Sequence, residues 1–319
     1  MNVIVTGAAG FLGSRLANAL LAENSKLPVS RLVLVDLQEP PSYNDSRVTT
    51  LSVNLADTSA ADRIIQSDFH VLFHLAAVLS GQAEVDFDLG LRINLDATRA
   101  LIETARRKAP KLRFVFTSTV GVFGGKLPEV IDDLTAVTPE NSYGTEKAMC
   151  ELLLNDYARH GYVDARVVRL PTVSVRAGTA NKAVTSFASG IIREPLNGEV
   201  SVCPVDTKQQ LLLASPYTVV QNIIHVATLP ADALGSWRVV NLPGICVSVG
   251  EMIEALREVA GSKAVSLVKF ERDEMIERMV ASFPTKWDNT RALRLGFVVD
   301  KSFVDIIRHY IRDDLKRKV

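Results

Sequence analysis

The chain has 319 residues, 47% of them hydrophobic, and sets 36 Lys and Arg against 36 Asp and Glu for a formal net charge of zero. That length and apolar content suffice for one large α/β domain or a main domain with a smaller lobe, and the charge balance leaves no electrostatic footprint for nucleic acid or an anionic membrane. The three cysteines, Cys150, Cys203 and Cys246, are scattered and odd in number, so they make neither a disulfide framework nor a metal motif. The first residues read directly as an apolar strand with no secretory signal, and no apolar run reaches the ~18 residues a membrane span needs. The expectation is a cytoplasmic protein without a metal.

Candidate strands are Asn2–Thr6, Leu32–Asp36, Val48–Val53, Val71–Leu75, Arg113–Thr117, Ala165–Leu170 and Arg238–Leu242. They are mostly continuous apolar runs, as suits parallel strands covered on both faces. Helical periodicity falls between them, over Phe11–Glu23, Thr58–Gln66, Gly90–Lys108, Asn141–His160 and Pro216–Thr228. This alternation predicts an α/β fold, a Rossmann doubly wound parallel sheet. After Leu170 the character changes. Residues 171–213 read as loops with one helix around Ala183–Arg193, and the rest is mainly helical, with a capping box at Ser248 and Glu251 and a basic end to the helix Ser302–Lys316. We therefore divide the chain into a Rossmann sheet domain over 1–170, to which 215–242 returns, and a smaller lobe over 171–214 and 243–319.

Thr6-Gly7-Ala8-Ala9-Gly10-Phe11-Leu12-Gly13 follows the first strand and opens the first helix. Gly7 permits the tight turn, Gly10 lets the backbone approach a pyrophosphate, and Gly13 lets helix and strand pack closely. The helix N-terminus, with Phe11 and Leu12, presents free N–H groups to the phosphates. Asp36 ends the second strand, near the ~20-residue spacing at which a carboxylate accepts from the adenosine ribose. With only neutral residues around it, that carboxylate predicts NAD over NADP.

Tyr143 and Lys147 lie one helical turn apart. Bringing a phenol from a pKa near 10 to about 7 takes ~4 kcal/mol; one cation about 4 Å away supplies ~4 kcal/mol at an effective dielectric of 20. Lys147 and an oxidised nicotinamide would together suffice. Thr117-Ser118-Thr119 sits at the carboxyl end of the fifth strand, where hydroxyls face the ligand crevice of such a sheet. His74 ends an apolar strand and reads as a satisfied core histidine.

The glycine pattern, Asp36, His74-Leu75-Ala76-Ala77, Asn94, Thr117-Ser118-Thr119 and Tyr143-x-x-x-Lys147, in this order and over the whole chain, resemble the extended short-chain dehydrogenase/reductase superfamily. The segment Asp288-x-x-Arg291-Ala292-x-x-Leu295-Gly296-Phe297 is similar to that group's C-terminal signature. The resemblance implies Tyr143, Lys147, Thr119 and Ser118 as catalytic residues. It implies Ala76, Ala77, Asn94, Pro171, Thr172 and Val173 along the cofactor, with Leu55 and Asn54, where the group often has Asp, against adenine. Dehydratases of the group carry an acidic pair where this chain has Val120 and Gly121. Within the group, the runs Arg169–Gly178, Phe187–Glu199, Val122–Gly125 and Asn241–Gly244 resemble the D-erythronate dehydrogenase family.

That likeness implies NAD-linked oxidation of the C2 hydroxyl of a four-carbon sugar acid, D-erythronate to its 2-oxo acid. Tyr143 would be the base, Thr119 with Ser118 would orient the oxygen, and Lys147 would hold the ribose and lower the tyrosine pKa. The acid carboxylate needs a cation: Arg176 first, with Ser80 as a neutral helper and Arg193 and Lys182 behind them. Two other functions are weighed, a nucleotide-sugar 4-epimerase and a non-catalytic NAD-binding redox sensor. The apolar faces of the helices at 91–108 and 141–160 suggest a homodimer.

Overall fold

In the computed structural model, which describes residues 1–178 and 184–315, the apolar runs form the strands expected of them. In chain order the first half holds β1 (Asn2–Thr6), α1 (Phe11–Leu21), β2 (Arg31–Asp36), β3 (Val48–Ser52), α2 (Ala60–Ile64), β4 (Val71–His74), α3 (Ser80–Val85), α4 (Phe87–Gly90), α5 (Ala97–Lys108), β5 (Arg113–Thr119), α6 (Ser142–Arg159) and β6 (Asp164–Leu170). The second holds β7 (Thr172–Val173), α7 (Phe187–Leu196), β8 (Ser201–Cys203), β9 (Gln210–Ala214), α8 (Pro216–Thr228), β10 (Val239–Asn241), β11 (Ile245–Ser248), α9 (Val249–Val265, broken at Gly261), β12 (Val268–Phe270), α10 (Glu274–Ala281), α11 (Thr290–Arg294) and α12 (Phe303–Asp313).

Seven strands make one parallel sheet in the order β10-β6-β5-β4-β1-β2-β3. The direction of winding reverses between β1 and β4, so the crevice at their carboxyl ends is the topological switch point where such sheets bind ligands. Successive residues of β1 feed opposite faces, as the pleat requires. Val3 and Val5 join Leu16 and Leu20 of α1 and Ile223 of α8, whereas Ile4 joins Ile102 of α5 and Leu154 of α6. A third cluster gathers Val175, Ile191 and Ile192 of α7, Met252 and Leu256 of α9, and Ile306 and Tyr310 of α12.

Two expectations are corrected. The stretch 171–213 is not loops with one helix. It contributes β7, β8 and most of β9, with β7 parallel and β11 antiparallel to β9, and β12 parallel to β8. These strands are two to five residues long, too short to show a period, and they gain stability only from partners distant in the chain. The helix there begins at Phe187, and its expected start at Ala183 lies outside the described residues. The helix expected over Gly90–Lys108 is interrupted by a π-helical segment, Leu91–Asp96, which carries Asn94.

Candidate active site

A cleft of about 840 Å³ runs along the carboxyl ends of β1 to β6. Gly7 turns at a φ of +74°, and the backbones of β1 and α1 then cross so closely that a Cβ on Gly13 would overlap the Gly7 carbonyl oxygen. Gly10 precedes α1, whose first internal bond runs from the Ser14 N–H to the Gly10 carbonyl at 3.0 Å. The N–H groups of Phe11, Leu12 and Gly13 precede that bond and stay unsatisfied within the helix, at the positive end of its dipole. A Cβ built on Gly10 would meet only the Gly7 oxygen among the described residues, so its other side opens on the cleft. Asp36 closes the far side: its Oδ2 accepts from the Ala9 N–H at 3.0 Å and its Oδ1 from the Gln38 N–H at 3.3 Å. This donor-rich cradle with a carboxylate beside it fits a dinucleotide's pyrophosphate and ribose.

Asn54, Leu55, Ala76, Ala77, Ser80, Pro171, Thr172, Val173 and Arg176 also line the cleft. Asn94 does not. It is buried behind the wall, where its Oδ1 accepts from the Val78 N–H at 2.8 Å and its Nδ2 donates to the Val78 carbonyl and to Glu146 Oε2 at 2.6 Å. There it ties the loop after β4 to α6.

Helix α6 starts at Asn141, whose Oδ1 accepts from the Gly144 N–H at 2.8 Å. A Cβ on Gly144 would overlap the Gly121 carbonyl oxygen, so α6 lies hard against the turn after β5. That approach, carried by a glycine that spacing did not single out, brings Tyr143 and Lys147 to Thr119. Lys147 is buried, with its Nζ donating to the Thr117 carbonyl at 3.0 Å and lying 5.7 Å from the centre of the Tyr143 ring. Burial lowers the Lys147 ammonium to about 8. Burial, reinforced by the Glu146 carboxylate, pushes the Tyr143 phenol up. Burial thus opposes ionisation of the phenol, against which the expected activation sets Lys147 together with an oxidised nicotinamide.

The two hydroxyls after β5 part company. Ser118 is buried, and its Oγ donates to Glu151 Oε1, which is paired in turn with Arg169. Thr119 Oγ1 accepts from the Gly121 N–H at 3.0 Å and keeps its own proton to donate. Both Ser118 and Thr119 line the cleft together with Tyr143. His74 is fully buried between Thr6 and Thr98, as a core histidine should be.

Arg176 follows β7, and its N–H donates to Ser189 Oγ at 3.0 Å. No described carboxylate lies within ion-pair distance of its guanidinium; burial and the neighbouring Arg193 push its pKa down. Arg193 itself is engaged elsewhere, and Lys182 lies outside the described residues. Gln82, Arg92 and Phe283 also line the cleft and were not anticipated. Phe283 follows α10 and reaches the site only through the packing of the C-terminal elements. Among the described residues no cluster of His, Cys, Asp or Glu could hold a metal ion, and no helix is long and apolar enough to cross a membrane.

A glycine cradle at the switch point, with a Tyr-Lys helix turned toward it, places the molecule among enzymes of the short-chain dehydrogenase/reductase type. A family model described as "NAD dependent epimerase/dehydratase family" matches residues 3–227, and the chain belongs to that family. It is 49% identical over 316 residues to a D-erythronate dehydrogenase of Haemophilus influenzae, covering 99% of this chain and 100% of that one. It is 49% identical over 319 residues to another of that name from Cupriavidus necator, covering 98% of each. Among solved structures it is similar to one titled as a nucleoside-diphosphate-sugar epimerase from Agrobacterium tumefaciens, with a TM-score of 0.94, 41% identity, and coverage of 99% of this chain and 94% of that one. A GalE-like L-threonine dehydrogenase from Cupriavidus necator, 21% identical over 98% of this chain and 99% of its own, shares the fold at a TM-score of 0.84. The chain is an enzyme, an oxidoreductase of this family.

Proposed function

We propose that this enzyme uses NAD to oxidise the C2 hydroxyl of a four-carbon sugar acid, D-erythronate to its 2-oxo acid. The observation that carries the reading is the meeting, in one cleft, of the glycine cradle, Tyr143 and a half-buried arginine with no acidic partner among the described residues, Arg176. A guanidinium stays ionised, and a partly desolvated cation without a counter-charge favours an anionic ligand. The acid's carboxylate supplies that anion, and the two D-erythronate dehydrogenases at 49% identity support the choice of acid.

Phe11, Leu12 and Gly13 would hold the pyrophosphate through their N–H groups, and Asp36 the adenosine ribose. A 2′-phosphate would face the Asp36 carboxylate, which favours NAD over NADP. Bound NAD would supply the hydride acceptor. Thr119 donates a hydrogen bond to the substrate oxygen, and Tyr143 removes its proton. Lys147, whose Nζ lies 5.7 Å from the centre of the Tyr143 ring, favours the phenolate by Coulomb attraction. Lys147 also stays within reach of the ribose, and Ala76, Ala77, Pro171, Thr172 and Val173 wall the cofactor cleft. Arg176 takes the carboxylate and Ser80 stands beside the sugar hydroxyls. We assign 171–214 and 243–319 to the substrate lobe and 1–170 with 215–242 to the cofactor domain, with Ala292 and Phe297 reaching back into the core of the sheet.

NADH release measured across four-carbon aldonates and UDP-sugars tests the reading. D-erythronate should give NADH, and Tyr143→Phe should abolish that signal while NAD still binds. The Agrobacterium structure, by its title, favours a second reading, a nucleotide-sugar 4-epimerase. Turnover of a UDP-sugar with no net NADH, and none formed from any aldonate, would replace our proposal with that one.

A further inference from the structure

The chain between β7 and α7 carries Arg176 across the cleft wall, and α7 holds it at three points. Ser174 Oγ donates to the Ala188 carbonyl at 2.9 Å, the Arg176 N–H donates to Ser189 Oγ at 3.0 Å, and Arg193 Nη1 donates to the Arg176 carbonyl at 2.8 Å. Arg193 is buried, and its other arm, Nη2, donates to Glu194 Oε1 at 2.5 Å. One guanidinium therefore bonds both the backbone of Arg176 and the carboxylate of Glu194. The second oxygen of that carboxylate, Oε2, is buried without a hydrogen-bond partner among the described residues. An acceptor of this kind, this near to the Arg176 backbone, is a competitor for the Arg176 side chain: a charge-assisted pair inside the wall would neutralise the cation that should meet the substrate.

We infer that Arg193 is a positioning residue for substrate recognition: it fixes the Arg176 backbone and occupies Glu194, so that Arg176 is left as an uncompensated cation facing the cleft. Arg176, Arg193 and Glu194 together keep one positive charge at this wall, which suits a monoanionic carboxylate. The mutual repulsion of the two guanidiniums also disfavours withdrawal of the Arg176 head toward α7, in keeping with the downward pressure that Arg193 exerts on the Arg176 pKa. The inference rests on Arg176 as the binder of the substrate carboxylate and adds the device that keeps it available.

The test is steady-state kinetics on the full-length enzyme, with NAD binding as a control. Arg193→Gln should raise KM for D-erythronate by roughly 10- to 100-fold, with kcat and NAD affinity nearly unchanged, because a ground-state contact is lost through the freed Glu194. The double variant Arg193→Gln/Glu194→Gln should recover about tenfold of that loss by removing the competitor, an effect that simple damage to α7 would not produce. A double variant as weak as Arg193→Gln alone, or an Arg193→Gln enzyme with wild-type KM, overturns the inference. If Arg193→Gln fails to fold, Arg193→Met with and without Glu194→Gln gives the same comparison. Arg176→Ala separates the two layers. An unchanged KM there removes the carboxylate reading itself, whereas a raised KM beside normal Arg193 variants removes only the positioning role.

Discussion

His74 shows how firmly a single residue can be committed to one protonation state. Thr98 Oγ1 donates to the Asn94 carbonyl at 2.7 Å, so it accepts from His74 Nε2–H; Thr6 Oγ1 then donates to Nδ1 at 2.6 Å. Burial first, and Lys147 second, lower the imidazole to about 3. The unfolded chain, with an ordinary value near 6.5, takes up this proton between pH 6.5 and 3 while the folded protein does not. The stability His74 contributes is thus fully present above about pH 6.5 and is lost as pH falls toward 3. From pH 7 to pH 5 the loss from this group is about 2 kcal/mol. Urea midpoints at the two pH values should show a flatter dependence for His74→Asn than for the wild type. Parallel dependences would mean that other groups govern the acid limb.

The elements matter at their crossings. The close contact of α1 with the turn after β1 depends on Gly13, since the Gly7 carbonyl occupies the space of any Cβ there. Gly13→Ala should cost ~1–3 kcal/mol of stability through overpacking and weaken NAD binding by about tenfold or more as the free N–H groups shift. Thermal unfolding and NAD titration read both; wild-type values for each would show that the loop yields without consequence. The same kind of crossing, α6 on the turn after β5, aligns Tyr143 with Thr119. There Asn94 and Glu146 stitch the loop after β4 to the back of α6. The active site is therefore a product of three helix–loop contacts, not of the catalytic side chains alone.

For the molecule as a whole, the exposed apolar residues are unevenly spread. Val85 and Phe87 are 88% and 57% exposed, and Leu152 and Met149 of the neighbouring α6 are 56% and 37% exposed. The homodimer is proposed to bury this face. In it the exposed apolar neighbours of α6 come from 80–87, beside the exposed Arg99 and Ala100 of α5. Leu152→Glu should shift the enzyme from dimer to monomer in sedimentation velocity, by placing a charge at the centre of an apolar contact. A wild-type enzyme that is already monomeric would end this proposal.

What the sequence determined by itself is the set of local agreements. Continuous apolar runs of strand length alternating with helical periods point to parallel strands, and the spacing of Gly7, Gly10 and Gly13 between strand and helix points to a phosphate-binding turn. Tyr143 and Lys147 share a helix face by the helical period alone. These features depend on neighbours within a few residues, and so they were legible. The tertiary structure decided whatever needs a partner far along the chain: the pairing of β7, β9 and β11, the diversion of Ser118 to Glu151 and Asn94 to Val78, and the entry of Phe283 into the cleft. It also decided the charge state of the site, because desolvation depends on what covers a residue, and nothing in the order Tyr-x-x-x-Lys says how deeply Tyr143 is buried or that Arg193 has already taken Glu194.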